Sequence, residues 1–419
     1  MDYVTLAKHS VREYAPDKIF EASQKAKAAI ARLGEDQVIN STLGECLDDE
    51  GKLMVLPVVE RLLRTMPVEE ICSYAPIAGI AGFNEAVEIS LFGQGKSRFD
   101  VSAVATPGGC GALRHLVWNF LDEGDAMLTT DWHWGPYRNI CEEHGRKLET
   151  FPMFDDQDNF HVEAMEESLK ALLKRQKQVV LALNTPANNP TGYSMTKEEM
   201  DRTVEVIRRC GKQYPDRNIT FCLDVSYIDF DDTFERTREI FDSIRDMPAN
   251  TMALVVFSMS KSYTMCGMRC GALVCLGETK EAAETFKAAM SYSSRSVWSN
   301  VVRAAQKVLV DINLNPELKA EADRQREGFK KQISARGQAF YREAKEVGLK
   351  CCPYRNGYFI AIPCENPARV AQILCEENVF VVPLAKGLRF SPCAVTMEKC
   401  LRAPKLIKAA VEKGQEESR

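Results

Sequence analysis

The chain of 419 residues has an ordinary globular composition, with 45% hydrophobic and 27% charged residues, which excludes a disordered or fibrous protein. Its 54 lysines and arginines against 59 aspartates and glutamates leave a net charge of −5, so no basic surplus indicates binding to nucleic acid. At roughly 150 residues per domain, the length predicts about two to three domains.

The 15 cysteines are scattered, often within apolar runs, and form no C-x-x-C pair, which predicts reduced core thiols rather than a disulfide framework. The five histidines are spread along the chain, so the ligand set of a zinc site is missing and we expect no metal. The N-terminal stretch is charged throughout and lacks the apolar core of a signal peptide, and no run approaches the roughly 20 apolar residues of a membrane span. We therefore expect a cytoplasmic protein that binds no membrane.

The first predicted element is a helix from Asp17 to Leu33, whose apolar residues follow a period near 3.6 residues and which Gly34 ends. Seven β-rich runs follow, alternating with helical stretches: VSAVAT at 101, AMLTT at 126, ETFPMF at 149, VVLALNT at 179, ITFCLDV at 219, LVVFSMS at 254 and CGALVCLG at 270. Runs that are apolar on both faces favour an α/β fold, in which helices cover a mostly parallel sheet. The turns of such a sheet gather the ligand site.

A strand, a glycine turn and an amphipathic helix are predicted around TPGGCGALRHLVWNFLDEG, where Leu113, Leu116 and Val117 have helical spacing. Near the C-terminus, Asn315 as N-cap and Pro316 as first residue predict the start of a long charged helix. The runs GYFIAI at 357 and VFVVPL at 379 predict a compact α+β tail. A large central domain and a small α+β domain from both chain ends are therefore expected, with boundaries at 1–58, 59–315 and 316–419.

Two features indicate an anion-binding site and a reactive lysine amine. The glycine turn at residues 108–111 lies at a helix N-terminus, where free amides attract phosphate, although glycine there can also serve packing alone. The stretch SMSKSYTMCGMRCG places Lys261 at the end of an apolar strand, where burial and neighbouring cations would lower its pKa and leave an amine able to form a Schiff base. Arg269 could hold a phosphate in bidentate fashion, with a serine hydroxyl as a further donor.

Two further strand ends carry polar side chains. Asp224 ends the run FCLDV, with Tyr227 three residues later, and Asn189 lies in the turn NTPANNPTG. A lone carboxylate at a strand end is usually an N-cap or a surface charge. The alternative is an acid that faces a pyridine nitrogen and keeps it protonated, with Asn and Tyr donors on a phenolic oxygen of the ring.

The motifs TPGGCGALR, WGPY, NNPTG, DVSY, SMSK, MRCG and GLRFSP occur in this order, and together they resemble the class I pyridoxal-phosphate aminotransferases, in particular the aspartate/aromatic subgroup. The resemblance covers nearly the whole chain. It implies the fold of type I pyridoxal-phosphate-dependent transferases, pyridoxal 5′-phosphate as cofactor, and a homodimer with shared active sites.

The resemblance also implies roles for single residues. Lys261 would be the Schiff-base lysine and proton shuttle, and Asp224 would pair with the pyridine nitrogen. The other cofactor contacts would be the ring-stacking Trp134, the ring-oxygen donors Asn189 and Tyr227, and the phosphate ligands Gly109, Cys110, Ser258, Arg269 and, from the partner subunit, Tyr74. Substrate would be bound by Gly44 of the gating segment 39–52, Asn189, Arg389 at the α-carboxylate, and Arg295, which the family aims across the dimer interface at a distal carboxylate.

Three details depart from the pattern or leave a choice. Cys110 replaces the usual hydroxyl residue of the phosphate turn, so one side-chain hydrogen bond is lost while the backbone amide remains. Both Trp132 and Trp134 could stack on the cofactor, and the WG context favours Trp134, with loop packing for Trp132. Arg295 binds a second substrate carboxylate or pairs instead with an acid of its own or the partner chain.

The leading prediction is an aminotransferase that moves an amino group between an L-amino acid, dicarboxylic or aromatic, and 2-oxoglutarate or a similar keto acid by a ping-pong mechanism. A lyase of the same fold, which would release pyruvate and ammonia without a keto-acid acceptor, is the alternative enzyme. A non-catalytic cofactor-binding regulator ranks last, because the residues before INSTLG leave too little room for a helix-turn-helix domain.

Overall fold

The computed structural model describes residues 5–11, 18–95 and 97–417 of the chain. It begins with a short 3-10 turn and helix α1 (Lys18–Leu33), followed by strand β1 (Ile39–Asn40). The predicted N-terminal helix is thus confirmed from Lys18 onward, and Asp17 lies outside the described residues. Three helices lead into the large sheet: α2 (Pro57–Thr65), α3 (Val68–Cys72) and α4 (Phe83–Phe92).

All seven predicted strands form one sheet: β2 (Asp100–Thr106), β3 (Ala126–Thr130), β4 (Lys147–Phe151), β5 (Gln178–Asn184), β6 (Asn218–Asp224), β7 (Thr251–Ser258) and β8 (Gly271–Gly277). The strand order is β2-β8-β7-β6-β5-β3-β4. β8 runs antiparallel to both of its neighbours, while the other pairs are parallel. The predicted mostly parallel α/β sheet is confirmed, and its apolar strands are buried because helices cover both faces.

The helices that follow β2 along the chain are α5 (Gly108–Phe120), α6 (Pro136–Glu143), α7 (Val162–Arg175), α8 (Lys197–Gln213), α9 (Phe234–Arg238), α10 (Met259–Ser262), α11 (Lys280–Val297) and α12 (Arg303–Leu314). Helix α5 follows β2 directly, as the glycine turn predicts, and it buries Leu113, Leu116 and Val117. The N-terminus of α5 therefore lies at one edge of the sheet, beside the ends of the parallel strands.

The C-terminal part begins with the long helix α13 (Pro316–Glu346), and Asn315 caps it as predicted by accepting hydrogen bonds from the amides of Glu317 and Leu318. The remaining elements are β9 (Ile360–Pro363), α14 (Pro367–Glu376), β10 (Val379–Phe380), β11 (Val382–Pro383), β12 (Gly387–Phe390) and α15 (Met397–Glu416). Strands β11, β12 and β9 form an antiparallel sheet with its own apolar core.

The two chain ends are joined by short parallel pairing of β1 with β10, where Ile39 lies opposite Val379. This pairing brings residues that follow β1 close to residues that follow β10. The predicted boundaries at residues 58 and 315 stay predictions. None of the helices in the described part of the chain has both the length and the apolar composition that a bilayer crossing requires.

Candidate active site

A cavity of about 240 Å³ lies where β5, β6 and β7 end and α5 begins. In parallel strands the carboxyl ends share one edge, and ligands bind in the crevice outside it. The lining residues are Ile19, Gly44, Gly109, Cys110, Leu113, Trp134, Asn184, Asn189, Asp224, Ser226, Tyr227, Ser258, Ser260, Lys261, Cys266, Arg269, Phe359 and Arg389. The cavity thus collects residues from nearly the whole length of the chain.

Lys261 lies in the single turn of α10 that follows β7. Its Nζ donates to the carbonyl of Gly44 at 2.5 Å and lies 3.5 Å from the Sγ of Cys266. Burial by itself lowers the pKa of Lys261, but the phenol of Tyr227 and the thiols around the amine outweigh it and raise the pKa above its ordinary value. The prediction of a lowered pKa is therefore wrong, because the neighbours of the amine are acidic groups rather than cations.

Asp224 is the last residue of β6 and is buried. Its Oδ1 accepts hydrogen bonds from the amide of Ser226 at 3.1 Å and its hydroxyl at 2.6 Å, and its Oδ2 accepts one from the hydroxyl of Tyr137 at 2.6 Å. Burial raises the pKa of Asp224, while these hydrogen bonds act in the opposite direction. The carboxylate is thus oriented by donors on both oxygens, and Asp224 is not the surface charge that a strand-end acid usually is.

The other end of the cavity is cationic and rich in amides. Arg269 adopts a left-handed backbone conformation (φ 49°) and donates from Nη1 to the carbonyl of Cys266 at 2.7 Å and to the hydroxyl of Ser260 at 3.3 Å. Gly108 has φ 66°, and a Cβ there would lie 2.8 Å from Nη2 of Arg269, so only glycine lets the guanidinium approach the start of α5. The Nη2 of Arg269 also lies 3.9 Å from the Sγ of Cys110.

A second group of polar side chains joins the sheet to the C-terminal part. The Nδ2 of Asn189 donates to the hydroxyl of Tyr227 at 3.3 Å, and Nη1 of Arg389 lies 3.4 Å from Oδ1 of Asn189. The Nη2 of Arg389 donates to the carbonyl of Thr42 at 2.8 Å, and the ring of Phe359 lies 4.3 Å from the guanidinium carbon. A buried arginine that binds a backbone carbonyl can exchange that partner for a ligand carboxylate.

The two tryptophans have different environments. Trp134 lines the cavity, whereas Trp132 is buried in the large core and has the amine of Lys386 over its ring at 5.7 Å. This placement agrees with the preference for Trp134 over Trp132 as the residue that faces the cofactor. Eleven of the predicted site residues reach the cavity: Gly44, Gly109, Cys110, Trp134, Asn189, Asp224, Tyr227, Ser258, Lys261, Arg269 and Arg389.

Two predicted residues, Tyr74 and Arg295, do not line this cavity. The side chain of Tyr74 is 88% exposed, and Arg295, near the end of α11, is exposed and hydrogen-bonds the hydroxyl of Ser299. Both were assigned to a site shared between two subunits, so their position on the surface of one chain leaves that prediction standing.

Several lining or supporting residues were missed from the sequence. Tyr137 and Ser226 lie inside the motifs WGPY and DVSY, and a hydroxyl within three residues of a predicted site residue was the available signal. Asn184 ends β5, and its Oδ1 accepts from the amide of Asn189 at 2.7 Å. Cys266 and Phe359 gave no signal, because an isolated thiol or phenyl ring in an apolar run predicts only core packing.

The comparisons with known proteins agree with this geometry. The model of the family Aminotransferase class I and II matches residues 36–407. An aminotransferase from Anaerococcus prevotii has a similar structure, with a TM-score of 0.94 and 36% identity over 98% of this chain and 100% of that chain.

Two curated relatives come from Pseudomonas aeruginosa. An aspartate aminotransferase is 26% identical over 74% of this chain and 76% of its own length, and an aromatic-amino-acid aminotransferase is 27% identical over 56% of each. The family match spans most of the chain and includes the strand ends and turns that form the cavity. The chain therefore belongs to the class I and II aminotransferases, a family of pyridoxal-phosphate-dependent enzymes.

Proposed function

We propose that the cavity binds pyridoxal 5′-phosphate and that the chain transfers amino groups between an L-amino acid and a 2-oxo acid by a ping-pong mechanism. The observation that carries this proposal is the arrangement of Lys261 and Asp224, which open into one cavity whose other end holds Arg269 and the N-terminus of α5. An amine, a buried carboxylate and an anion site are the three groups that a phosphorylated pyridine aldehyde requires.

The residues present fit this cofactor. The carboxylate of Asp224 accepts three hydrogen bonds and forms no ion pair among the described residues, so an N–H⁺ donor in the cavity would complete its surroundings. The amides of Gly109 and Cys110, the hydroxyl of Ser258 and the guanidinium of Arg269 suit a phosphate. Tyr227 and Asn189 are placed to share a ring oxygen, since their polar atoms already lie 3.3 Å apart.

When bound, the cofactor supplies an electron-withdrawing ring that accepts charge from the substrate Cα. The chain's own part is to position the substrate and move its protons. The Nζ of Lys261 must exchange the Gly44 carbonyl for the cofactor and must lose its proton before it can act as a nucleophile or base. The guanidinium of Arg389, held between Asn189 and Thr42, would bind the α-carboxylate and so orient the Cα towards Lys261.

The direct test is chemical labelling of the purified holoenzyme. Borohydride treatment followed by peptide mapping should fix the cofactor on Lys261, and amino acid plus 2-oxoglutarate should yield keto acid and glutamate in equal amounts. A label on another lysine would contradict the assignment. Release of pyruvate and ammonia without a keto-acid acceptor would indicate a lyase instead.

For the substrate class we propose dicarboxylic or aromatic amino acids, in line with the activities named for the two Pseudomonas relatives. Arg295 would reach the partner's site and bind a distal carboxylate. Arg295→Ala should then lower kcat/KM for aspartate and glutamate by about 30-fold or more and spare tyrosine. Equal losses for all donors would show that Arg295 supports the interface and not specificity.

The shared site requires a homodimer. Tyr74, Tyr292 and Val297 are large apolar side chains that remain half or more exposed in one chain, as expected of a surface that a second copy covers. Sedimentation should give a dimer. Mixing a Tyr74→Phe chain with a Lys261→Ala chain should restore about a quarter of the sites, because only the hybrid has one intact site of two. A fully active monomer would contradict the proposal.

A further inference from the structure

Tyr137 contacts two cavity residues that lie in different sequence motifs, Asp224 of DVSY and Trp134 of WGPY. It lies in the first turn of α6, and its side chain is 1% exposed. Its hydroxyl donates to Oδ2 of Asp224 at 2.6 Å. Its ring meets the edge of Trp134 with centroids 5.9 Å apart and an interplanar angle of 89°. One buried side chain thus touches both the carboxylate and the aromatic ring that face the cavity.

The hydrogen bond matters because of what surrounds Asp224. No basic side chain of the described residues forms an ion pair with Asp224, so the charge depends on neutral donors alone. The amide and hydroxyl of Ser226 both donate to Oδ1, and the hydroxyl of Tyr137 donates to Oδ2. The other titratable groups that interact with Asp224 are Tyr227, Cys222 and Cys110, and none of them adds positive charge.

The direction of the pKa effects agrees with this geometry. Burial raises the pKa of Asp224, and the hydrogen bonds from Ser226 and Tyr137 lower it towards its ordinary value. Burial and the neighbouring carboxylate both disfavour the phenolate and raise the pKa of Tyr137 well above its ordinary value, so the phenol remains a hydrogen-bond donor.

We propose that Tyr137 is a positioning residue that keeps Asp224 ionised and aimed into the cavity while it fixes the tilt of Trp134. This inference rests on the proposed function, in which Asp224 meets the pyridine nitrogen and Trp134 stacks on the ring. The hydroxyl accounts for the first effect and the ring for the second. A variant that removes the hydroxyl and keeps the ring should therefore separate them.

The test uses the holoenzyme of Tyr137→Phe. A hydrogen bond to a charged group is lost, so we expect the dissociation constant of the cofactor to rise about 10- to 100-fold. We also expect kcat to fall by a larger factor than KM changes. The visible circular dichroism of the bound cofactor should keep its sign, because the ring that contacts Trp134 remains. Tyr137→Ala should reduce or reverse that signal as well. Tyr137→His, which keeps a ring and an N–H donor, should recover part of the affinity.

The matched control is Tyr193→Phe. Tyr193 is 2% exposed and donates to Oε1 of Glu199 at 2.5 Å, so it is also a buried tyrosine bound to a carboxylate, but neither residue lines the cavity. We expect stability to fall in this variant without a change in cofactor affinity or dichroism. If Tyr137→Phe behaves like Tyr193→Phe, Tyr137 is structural and the inference is overturned.

A comparison with Asp224→Ala separates this inference from the proposed function. If Asp224→Ala retains cofactor and turnover, the pairing of Asp224 with the ring nitrogen is wrong, and the role of Tyr137 is wrong with it. If Asp224→Ala is severely impaired while Tyr137→Phe is not, only the role of Tyr137 is overturned. If Tyr137→Phe does not fold, Tyr137→His supplies the measurement. Its N–H lies at a different position from the tyrosine hydroxyl, so its cofactor affinity should stay below that of the wild type.

Discussion

The carboxyl edge of the large sheet and the two chain-end segments contribute to the same cavity in different ways. The sheet half, which includes Asp224, Ser258 and Lys261, consists of residues at or just after the ends of neighbouring strands. The chain-end half, which includes Gly44 and Arg389, consists of a loop after β1 and of strand β12. The first half is held by the large sheet and the helices packed on it. In the second half, Arg389 is held by the pairing of β12 with β9 and β11, whereas the loop with Gly44 is held by hydrogen bonds to distant segments.

Two of those hydrogen bonds, Lys261 to Gly44 and Arg389 to Asn189, cross between the halves, whereas the bond from Arg389 to Thr42 lies within the chain-end half. Lys261 donates to the carbonyl of Gly44, and Arg389 donates to the carbonyl of Thr42 while its other nitrogen contacts Asn189. Both cations thus bind backbone carbonyls of one loop. Under the proposed function, the amine of Lys261 and the guanidinium of Arg389 exchange these carbonyls for cofactor and substrate, while the strand ends of the sheet half stay in place. Substitutions in the two halves should therefore differ in kind.

The largest effect is expected in the sheet half. Lys261→Ala should keep the cofactor through its phosphate and ring contacts but lower turnover at least about 1,000-fold, because both the nucleophilic amine and the proton carrier are lost. Steady-state rates and cofactor content of the purified variant give the measurement. Lys399→Ala is the matched control and should leave turnover unchanged. The buried amine of Lys399 also binds a backbone carbonyl, that of Glu35 at 2.8 Å, but does not line the cavity. Activity similar to wild type in Lys261→Ala would refute the assignment.

The corresponding change in the chain-end half is Arg389→Ala. Loss of one partner of a desolvated charge pair costs about 2–5 kcal/mol, or roughly 30-fold to several thousand-fold in kcat/KM. Every amino acid has an α-carboxylate, so the loss should be similar for aspartate, glutamate and tyrosine. Arg389→Lys should restore little, since an ammonium cannot hold a carboxylate bidentately. A loss confined to dicarboxylic donors would assign Arg389 to the distal carboxylate.

The stability of the sheet half should depend on pH through His115. This residue is fully buried on α5 and hydrogen-bonded to the hydroxyl of Ser294 at 2.9 Å, and burial, aided by Arg114, lowers its pKa to about 3. In the unfolded chain this imidazole binds a proton near pH 6.5, whereas in the folded chain it stays neutral. The free energy of unfolding therefore falls by up to about 1.4 kcal/mol for each pH unit below that value.

Urea unfolding of wild type and His115→Gln at about pH 7.5 and about pH 5 measures this dependence. The wild type should lose about 2 kcal/mol more than the variant between the two conditions. Equal losses in both proteins would mean that His115 is protonated in the folded chain.

The smallest effect is expected from added volume in the chain-end half. A Cβ at Gly44 would lie 2.6 Å from Cζ of Phe359 and 3.7 Å from Nζ of Lys261. Gly44→Ala must therefore displace the loop or the ring, and we expect kcat/KM to fall about tenfold with little change in unfolding free energy. Gly135→Ala is the control, because a Cβ there meets nothing within 4 Å although Trp134 is adjacent. Equal activity of the two variants would show that the loop moves freely.

The sequence by itself determined most of the sheet half. Apolar runs predicted the seven strands, and a polar residue at the end of a run, such as Asp224, could be assigned to the end of its strand because hydropathy and the strand period are local properties of the sequence. Capping was equally local, as Asn315 shows at α13. The chain-end residues Gly44 and Arg389 came from family resemblance, since no local pattern relates positions more than 300 residues apart.

Only the tertiary structure decided which groups face one another. Burial alone predicted a lowered pKa for Lys261, but the fold surrounds its amine with Tyr227 and several thiols, and the direction is reversed. The hydrogen bond from the tyrosine of WGPY to Asp224 likewise became visible only in the fold, because α6 places the hydroxyl of Tyr137 against that carboxylate. Electrostatic and hydrogen-bond energies depend on distances between side chains of different elements, and packing sets those distances where sequence spacing cannot.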